Sequence, residues 1–536
     1  MSYSIAESHD VDRRAAEPLR PWWQDAVVYQ VYIRSFQDSD GDGVGDLDGV
    51  IAHLDHLVWL GVDAVWLSPF HPSPMLDGGY DVSAFLDVDP RFGTLQTFDR
   101  LIAEAHGRRL KVILDYVPNH TSDRHSWFQD SRASTDNPKR DWYVWRDGRD
   151  EGPPNDWRSM LGQPAWTRDA ATGQFYYHAF LPQQPDLNWR NPEVREAMHA
   201  VLRFWLDRGV DGFRVDAVAH LVEDDLLRDD VPGDLAGEGL PVQAGMRHAF
   251  TSDRPETHVC VAEWRRLTDG YEGRVLIGEA HLPTERVMRY YGLDAPAFHL
   301  PFNFVLLSTA WDARALAAAV DQYHNLLPPG AWPNWVLGNH DEQRVASRIG
   351  PAQARVAAML VLTVGGTPFI YNGDELGLED AQARAEAVRH PDVSRDRDPQ
   401  RSPMPWDAGR HAGFTTGEPW LPLGSNNAAR NVAAQVRDPA SMLDLYRQLI
   451  ALRREEPALA HGAYEPLAGS NMVLAYIRAL GGVKFAVALN IDGKAATMLL
   501  PGTGSILIST YLDRAAEVCA MTLALRPNEG IVLRLL

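Results

Sequence analysis

The chain has 536 residues, 45% of them hydrophobic and 23% charged, enough for several structural units around a large core. A formal net charge of −21 argues against nucleic-acid or anionic-membrane partners, which need basic surfaces. Only two cysteines occur, Cys260 and Cys519, so there is no disulfide framework. Residues 1–20 hold no apolar signal-like stretch, and the chain is expected to be cytoplasmic.

Residues 1–20 are polar, mixed in charge, and read as a flexible tail. Short apolar runs rich in β-branched and aromatic residues follow at 26–33, 62–67, 110–117, 210–215, 275–277, 335–337 and 368–371. Helical patterns lie between them, as at 50–60 and at 192–208, where Met198, Val201, Leu202, Trp205 and Leu206 share a face. This alternation predicts a parallel sheet, and seven or eight units over about 430 residues predict an α/β fold, a (β/α)8 TIM barrel. The barrel is expected in two parts, 21–120 and 188–459, around an inserted loop-rich domain at 121–187. That insert is dense in Asp, Arg, Pro, Trp and Gly. Further polar insertions are expected at 223–268 and 374–407. The most apolar run, 357–371, is broken by Gly365, Gly366 and Pro368, and reads as a buried helix and strand rather than a membrane span. From 460 to 536, short alternating strands with Gly-rich turns predict a C-terminal β-sandwich.

Four polar clusters follow directly on expected strands: Asp115-Tyr-Val-Pro-Asn-His120, Gly212-Phe-Arg-Val-Asp216, Ile277-Gly-Glu279 and Gly338-Asn-His-Asp341. In a parallel barrel the carboxyl ends of the strands converge on one face, so these acids should meet there. A loop at 38–46 places Asp38, Asp40, Asp42 and Asp46 at alternating positions among glycines, a spacing that can aim hard oxygen ligands at one cation. It is not an EF-hand, since Gly49 stands where a bidentate Glu would be needed.

These clusters resemble the signature regions of the α-amylase superfamily, family thirteen of the glycoside hydrolases. Gln184-Pro-Asp-Leu-Asn-Trp189 and Gly366-Thr-Pro-Phe-Ile-Tyr-Asn-Gly-Asp-Glu375 also match it. The likeness runs from about Trp22 to the C-terminus and is nearest to the α-glucosidase and oligo-1,6-glucosidase branch. It implies Asp216 as nucleophile, Glu279 as general acid/base with a raised pKa, and Asp341 as transition-state stabiliser. It implies that Arg214 keeps Asp216 ionised, and that His120 and His340 bind the sugar in the −1 subsite. Tyr80 would stack on that sugar, and Asp81 would grip its 4-hydroxyl with Arg401 as partner, closing the cleft for exo-acting cleavage. Arg395 and Arg397 lie near enough in sequence to compete for Arg401's role. Ala217 resembles the small residue found in α-1,4-specific members, where α-1,6-specific ones carry Val. The acidic loop resembles the branch's structural Ca2+ site, with Asp38, Asp40, Asp42, the Val44 carbonyl and Asp46 as ligands and Mg2+ as a substitute.

The resemblance therefore implies a retaining α-glucosidase acting on short α-1,4-linked glucosides such as maltose, as monomer or homodimer, with transglucosylation possible at the same site. Oligo-1,6-glucosidases and sucrose- or maltose-converting isomerases share the constellation. Non-catalytic members that partner membrane transporters have lost these acids, whereas Asp216, Glu279 and Asp341 are all present here. Departures from the branch pattern fall at Ala84, Phe85, Asn372 and Asp374.

Overall fold

A computed structural model of the chain describes residues 20–232, 242–243, 246–292, 294–382 and 397–536. The expected tail lies outside these residues apart from Arg20, as does Arg395. Eight parallel strands form one sheet: β1 (Val28–Val31), β2 (Ala64–Leu67), β3 (Lys111–Tyr116), β4 (Gly212–Val215), β5 (Val275–Gly278), β6 (Leu300–Pro301), β7 (Asn334–Val336) and β8 (Thr367–Tyr371). Neighbours run in the order β6-β5-β4-β3-β2-β1-β8-β7, so the two edges are the strands that must meet to close a barrel. Side chains stitch that seam. Asn334 on β7 donates from Nδ2 to the Pro301 carbonyl on β6 at 2.6 Å, and its Oδ1 accepts from the Asn303 N–H at 3.1 Å.

Seven of the eight strands coincide with apolar runs expected from the sequence. The sixth does not. It spans two residues and includes a proline, too little for any periodic signal. Helix Pro192–Asp207 buries Met198, Val201, Leu202, Trp205 and Leu206, as its spacing predicts. The pattern at 50–60 instead becomes two short helices, Leu47–Ala52 and Leu54–Leu60, broken at His53. The run at 357–371 is a helix, Pro351–Thr363, followed by β8. Among the described residues no helix is long and apolar enough to cross a membrane.

Strand alternation carries the polar residues to the top of the barrel. Val28, Ile113, Val275, Ile277, Val336 and Phe369 pack together inside it, while Tyr29, Val112, Leu114 and Leu276 on the other face join the larger cluster that includes the helices. Two residues beyond the interior Ile113 comes Asp115, and two beyond Ile277 comes Glu279, so the same parity points both inward at the carboxyl end. Gly278 allows the fifth strand its close packing: a Cβ there would fall 2.3 Å from the Phe298 ring.

The 121–187 insert holds a helix, Ser126–Ala133, and a small three-stranded sheet, Trp145–Arg146, Phe175–Tyr177 and Trp166–Arg168. The C-terminal region opens with strand Ala463–Pro466 and forms a six-stranded and a two-stranded sheet around their own apolar cluster. Cys260 and Cys519 are both free and buried.

Candidate active site

The ends of the barrel strands enclose a cavity of about 270 Å3 lined by Asp77, Tyr80, His120, Phe180, Gln184, Asp216, Ala217, Glu279, His281, Asp341 and Arg397, with others. Its floor is organised by one guanidinium. Arg214, almost wholly buried on β4, donates from Nη1 to Asp115 at 2.5 Å and to Asp216 at 2.7 Å, and its Nη2 lies 2.8 Å from Glu279 Oε2. Asp216 follows β4 and Glu279 follows β5, so paired neighbouring strands deliver the two carboxylates to adjacent nitrogens of the same group. A retaining glycosidase needs its two carboxyls roughly 5 Å apart, and a shared guanidinium holds Asp216 and Glu279 close together.

One buried cation facing three carboxylates cannot keep all of them ionised. Burial lifts Asp115 to about 6 despite Arg214. At Asp216 burial again dominates; Arg214 opposes it, the charges of Glu279 and Asp115 reinforce it, and the carboxyl ends well above its ordinary value. That corrects the expectation that Arg214 keeps Asp216 ionised: the carboxyls on this guanidinium titrate together. Glu279 goes the other way. Burial would raise it, but Arg214, the hydrogen bond and charge of His281 and the Ala217 N–H together hold it well below the usual range. The sequence-based expectation of a raised Glu279 is thus reversed. The reversal comes from contacts with Arg214 and His281 that only the folded chain creates.

Ala217 turns the chain at φ +49°, a left-handed conformation that costs a non-glycine residue about 1 kcal/mol. The turn aims its N–H at Glu279 Oε2, 3.1 Å away, and leaves its methyl group on the cavity wall.

Tyr80 lines the cavity and stacks on His340, with ring centroids 5.4 Å apart and planes 5° from parallel. His340 itself is buried behind Tyr80, bonded to Gln30 at 2.8 Å and 3.2 Å from Asp341 Oδ2. It supports the stacking tyrosine rather than lining the cavity, which corrects its expected place in the −1 subsite. His120 does line the cavity, bonded to Asn119 and Gln184. Burial lowers both imidazoles, His120 to about 4 and His340 to about 3, so both are neutral at pH 7.

Two further expectations are corrected. Asp81 is fully buried, and its oxygens accept from Ser73 Oγ and the Leu76 and Asp77 N–H groups, so it shapes a turn and does not face the cavity. Asp77, four residues earlier, takes the cavity position. Its partner is Arg397, which binds Asp77 through Nη2 and Asp341 through Nη1 at 2.8 Å. Arg401 does not meet Asp81; it donates to Asp341 at 2.7 Å and to the His340 carbonyl at 2.9 Å. The stretch 77–81 offers an acid at each end, and the turn at Gly78 and Gly79, both at positive φ, decides which one faces inward.

Sequence reasoning also missed Gln184 and His281. Gln184 Nε2 donates to Asp77 at 3.0 Å. His281 Nε2 lies 3.1 Å from Glu279 Oε1, and its ring stacks on Phe304 with centroids 4.3 Å apart. Its spacing of two from Glu279 was the available signal.

In the acidic loop, Asp38, Asp40 and Asp42 each bring an oxygen within 4.8 Å of the others. Asp46 is not part of that group. It caps helix Leu47–Ala52 through the Gly49 N–H at 2.7 Å and accepts from Ser39.

A barrel whose strand ends deliver a carboxylate pair on one arginine, beside an aromatic platform and neutral histidines, defines a glycoside hydrolase active site. Residues 30–462 match the alpha amylase catalytic domain, and the chain belongs to that family. It is 41% identical to a probable alpha-glucosidase of Rhizobium meliloti over 90% of this chain and 92% of that one. Among solved structures it resembles the alpha-glucosyl transfer enzyme XgtA (TM-score 0.90, 38% identity, 96% and 100% of the two chains). It also resembles the trehalulose synthase MutB from Pseudomonas mesoacidophila (TM-score 0.89, 35% identity, 96% and 100%).

Proposed function

We propose that the protein is an exo-acting, retaining α-glucosidase that removes terminal glucose from short α-1,4-linked glucosides such as maltose. The observation that carries this reading is the pairing of Asp216 and Glu279 on Arg214 beside the Asp77–Arg397 ion pair. That pair joins the segment after β2 to the segment after β8 across the cavity. A cavity crossed by it takes a chain end more readily than a continuous polymer.

In the reacting form Glu279 carries a proton and Asp216 does not. In the first step Glu279 protonates the leaving oxygen while the Asp216 carboxylate attacks the anomeric carbon, giving a covalent glucosyl-enzyme. In the second, Glu279 takes a proton from water, which releases glucose with the α configuration. A sugar hydroxyl replacing that water gives transglucosylation, a second outcome favoured by the likeness to XgtA and MutB. Asp341, held well below its ordinary pKa by the charges of Arg397 and Arg401 against the effect of burial, stays anionic and balances the positive charge that develops on the ring.

The test is glucose release from maltose, isomaltose and sucrose. Maltose should be turned over fastest, and Ala217→Val should raise the isomaltose-to-maltose ratio, because a β-branched side chain at 217 would add bulk to the cavity wall beside Glu279. Faster release from isomaltose by the wild type would overturn the linkage assignment, and isomerised sucrose would favour the transfer reading.

The acidic loop fits a structural Ca2+. Asp42 and Asp46 are pushed above the usual carboxylate range, first by burial and then by neighbouring acids, a repulsion that a hard dication relieves. Asp38, Asp40 and Asp42 would hold it, with the Val44 carbonyl and Asp46 as the remaining candidates and Mg2+ as a substitute. Chelation should lower the melting temperature by about 3 °C or more, and Ca2+ should restore it better than Mg2+. An unchanged melting curve would remove the ion from this account. The two free cysteines fit a reducing cytoplasm, where the enzyme would act as monomer or homodimer.

A further inference from the structure

Glu279 has two oxygens in different surroundings. Oε2 is taken by Arg214 Nη2 at 2.8 Å and the Ala217 N–H at 3.1 Å. Oε1 is left to meet a glycosidic oxygen, and it lies 3.1 Å from His281 Nε2. Among the described residues Asp216 and Glu279 share Arg214, but no hydrogen bond joins them directly. The His281 side chain is 55% exposed, lines the cavity and is held flat on Phe304, its plane 3° from that ring. It is therefore ordered by stacking, bonded to the acid/base and open to proton exchange with solvent.

We propose that His281 is a positioning residue that supplies Glu279 with its proton, so that the imidazole–carboxyl pair works as the acid/base unit. The proposal rests on the reading of Glu279 as acid/base. The 3.1 Å contact lets one proton lie on either Nε2 or Oε1, and the charge of Glu279 favours the imidazolium. When a glucoside covers the pair and water leaves, separated charges become costly and the neutral form is favoured. The Nε2–H bond then breaks, an Oε1–H bond forms, and the imidazole keeps the electron pair. Glu279 passes the proton to the leaving oxygen, whose bond to carbon breaks with the pair going to oxygen as Asp216 bonds that carbon. In the second step the proton taken from water can return to His281 by the same bond.

The groups facing His281 agree with this. Burial works against its cation, but the hydrogen bond and charge of Glu279, with Asp341 beyond, outweigh burial and the repulsion of Arg214 and raise its pKa. His220, across the cavity, is itself lowered to about 4 by burial and is neutral. The pair therefore holds a proton to higher pH than a lone Glu279 would.

The pH profile of kcat/KM on maltose, measured for wild type and His281→Gln, tests the proposal. The alkaline limb should move to lower pH by at least one unit, and the loss should be larger for maltose than for p-nitrophenyl α-glucoside, whose leaving group needs little protonation. A limb that moves to higher pH would mean that His281 only suppresses Glu279, and a uniform loss at every pH would mean a purely structural role; either result overturns the proposal. Independently, the NMR titration of His281 in the full chain should fall toward about 6.5 in Glu279→Gln. An unchanged midpoint also overturns it. Failure of the glycosidase reading would appear differently, as a wild type releasing glucose from no glucoside, and the NMR titration would still test the pair.

Discussion

Asp216→Gly should lower kcat on maltose by about 10^4-fold or more, and azide should restore turnover with β-glucosyl azide as product. The magnitude follows from losing the covalent step, since Asp115, which shares Arg214 Nη1 with Asp216, is not among the residues that line the cavity. Azide enters the space left by the carboxylate and attacks the same face once, which inverts the centre. Glu279→Ala should respond differently: the glucosyl-enzyme still forms from activated aryl glucosides, and azide then gives the α product. The two product configurations, read by NMR, assign the two carboxylates without reference to rates. Azide products of the opposite configuration would exchange the roles of Asp216 and Glu279, and an active Asp216→Gly without azide would remove Asp216 from the mechanism.

Arg214→Leu should be the most damaging change to both stability and activity. The side chain is 3% exposed and is the common partner of Asp115, Asp216 and Glu279. Removing one member of a buried charged network typically costs about 3–5 kcal/mol, because the partners stay buried without compensation. Chemical denaturation should show that loss, and adding Asp115→Asn should recover part of it by removing one uncompensated charge. Arg214→Lys keeps the charge but not the fork, and should fold better than Arg214→Leu while still losing activity. Equal stability of wild type and Arg214→Leu would show that the network does not hold the floor of the site together.

The sequence alone was sufficient for the barrel, because seven of its strands are long enough to leave an apolar run, and for the inserted and C-terminal units, because composition changes at their borders. Asp115, Arg214 and Glu279 could be placed by strand parity, whereas Asp216, Asp341, Tyr80 and His120 come through the motifs that carry the family resemblance, and the structure puts Tyr80, His120, Asp216, Glu279 and Asp341 on one cavity. The strand Leu300–Pro301 escaped because two residues carry no period, and its place is held by a side-chain seam from Asn334. Asp77 against Asp81, and Arg397 against Arg401, could be separated only by tertiary structure. Each pair sits four residues apart in an irregular stretch, interrupted only by the 3-10 turn Pro399–Arg401, where no long period assigns a direction and backbone turns such as Gly78 and Gly79 do. The protonation of Glu279 was likewise decided in three dimensions, because a pKa depends on the distances to Arg214 and His281 and not on residue order.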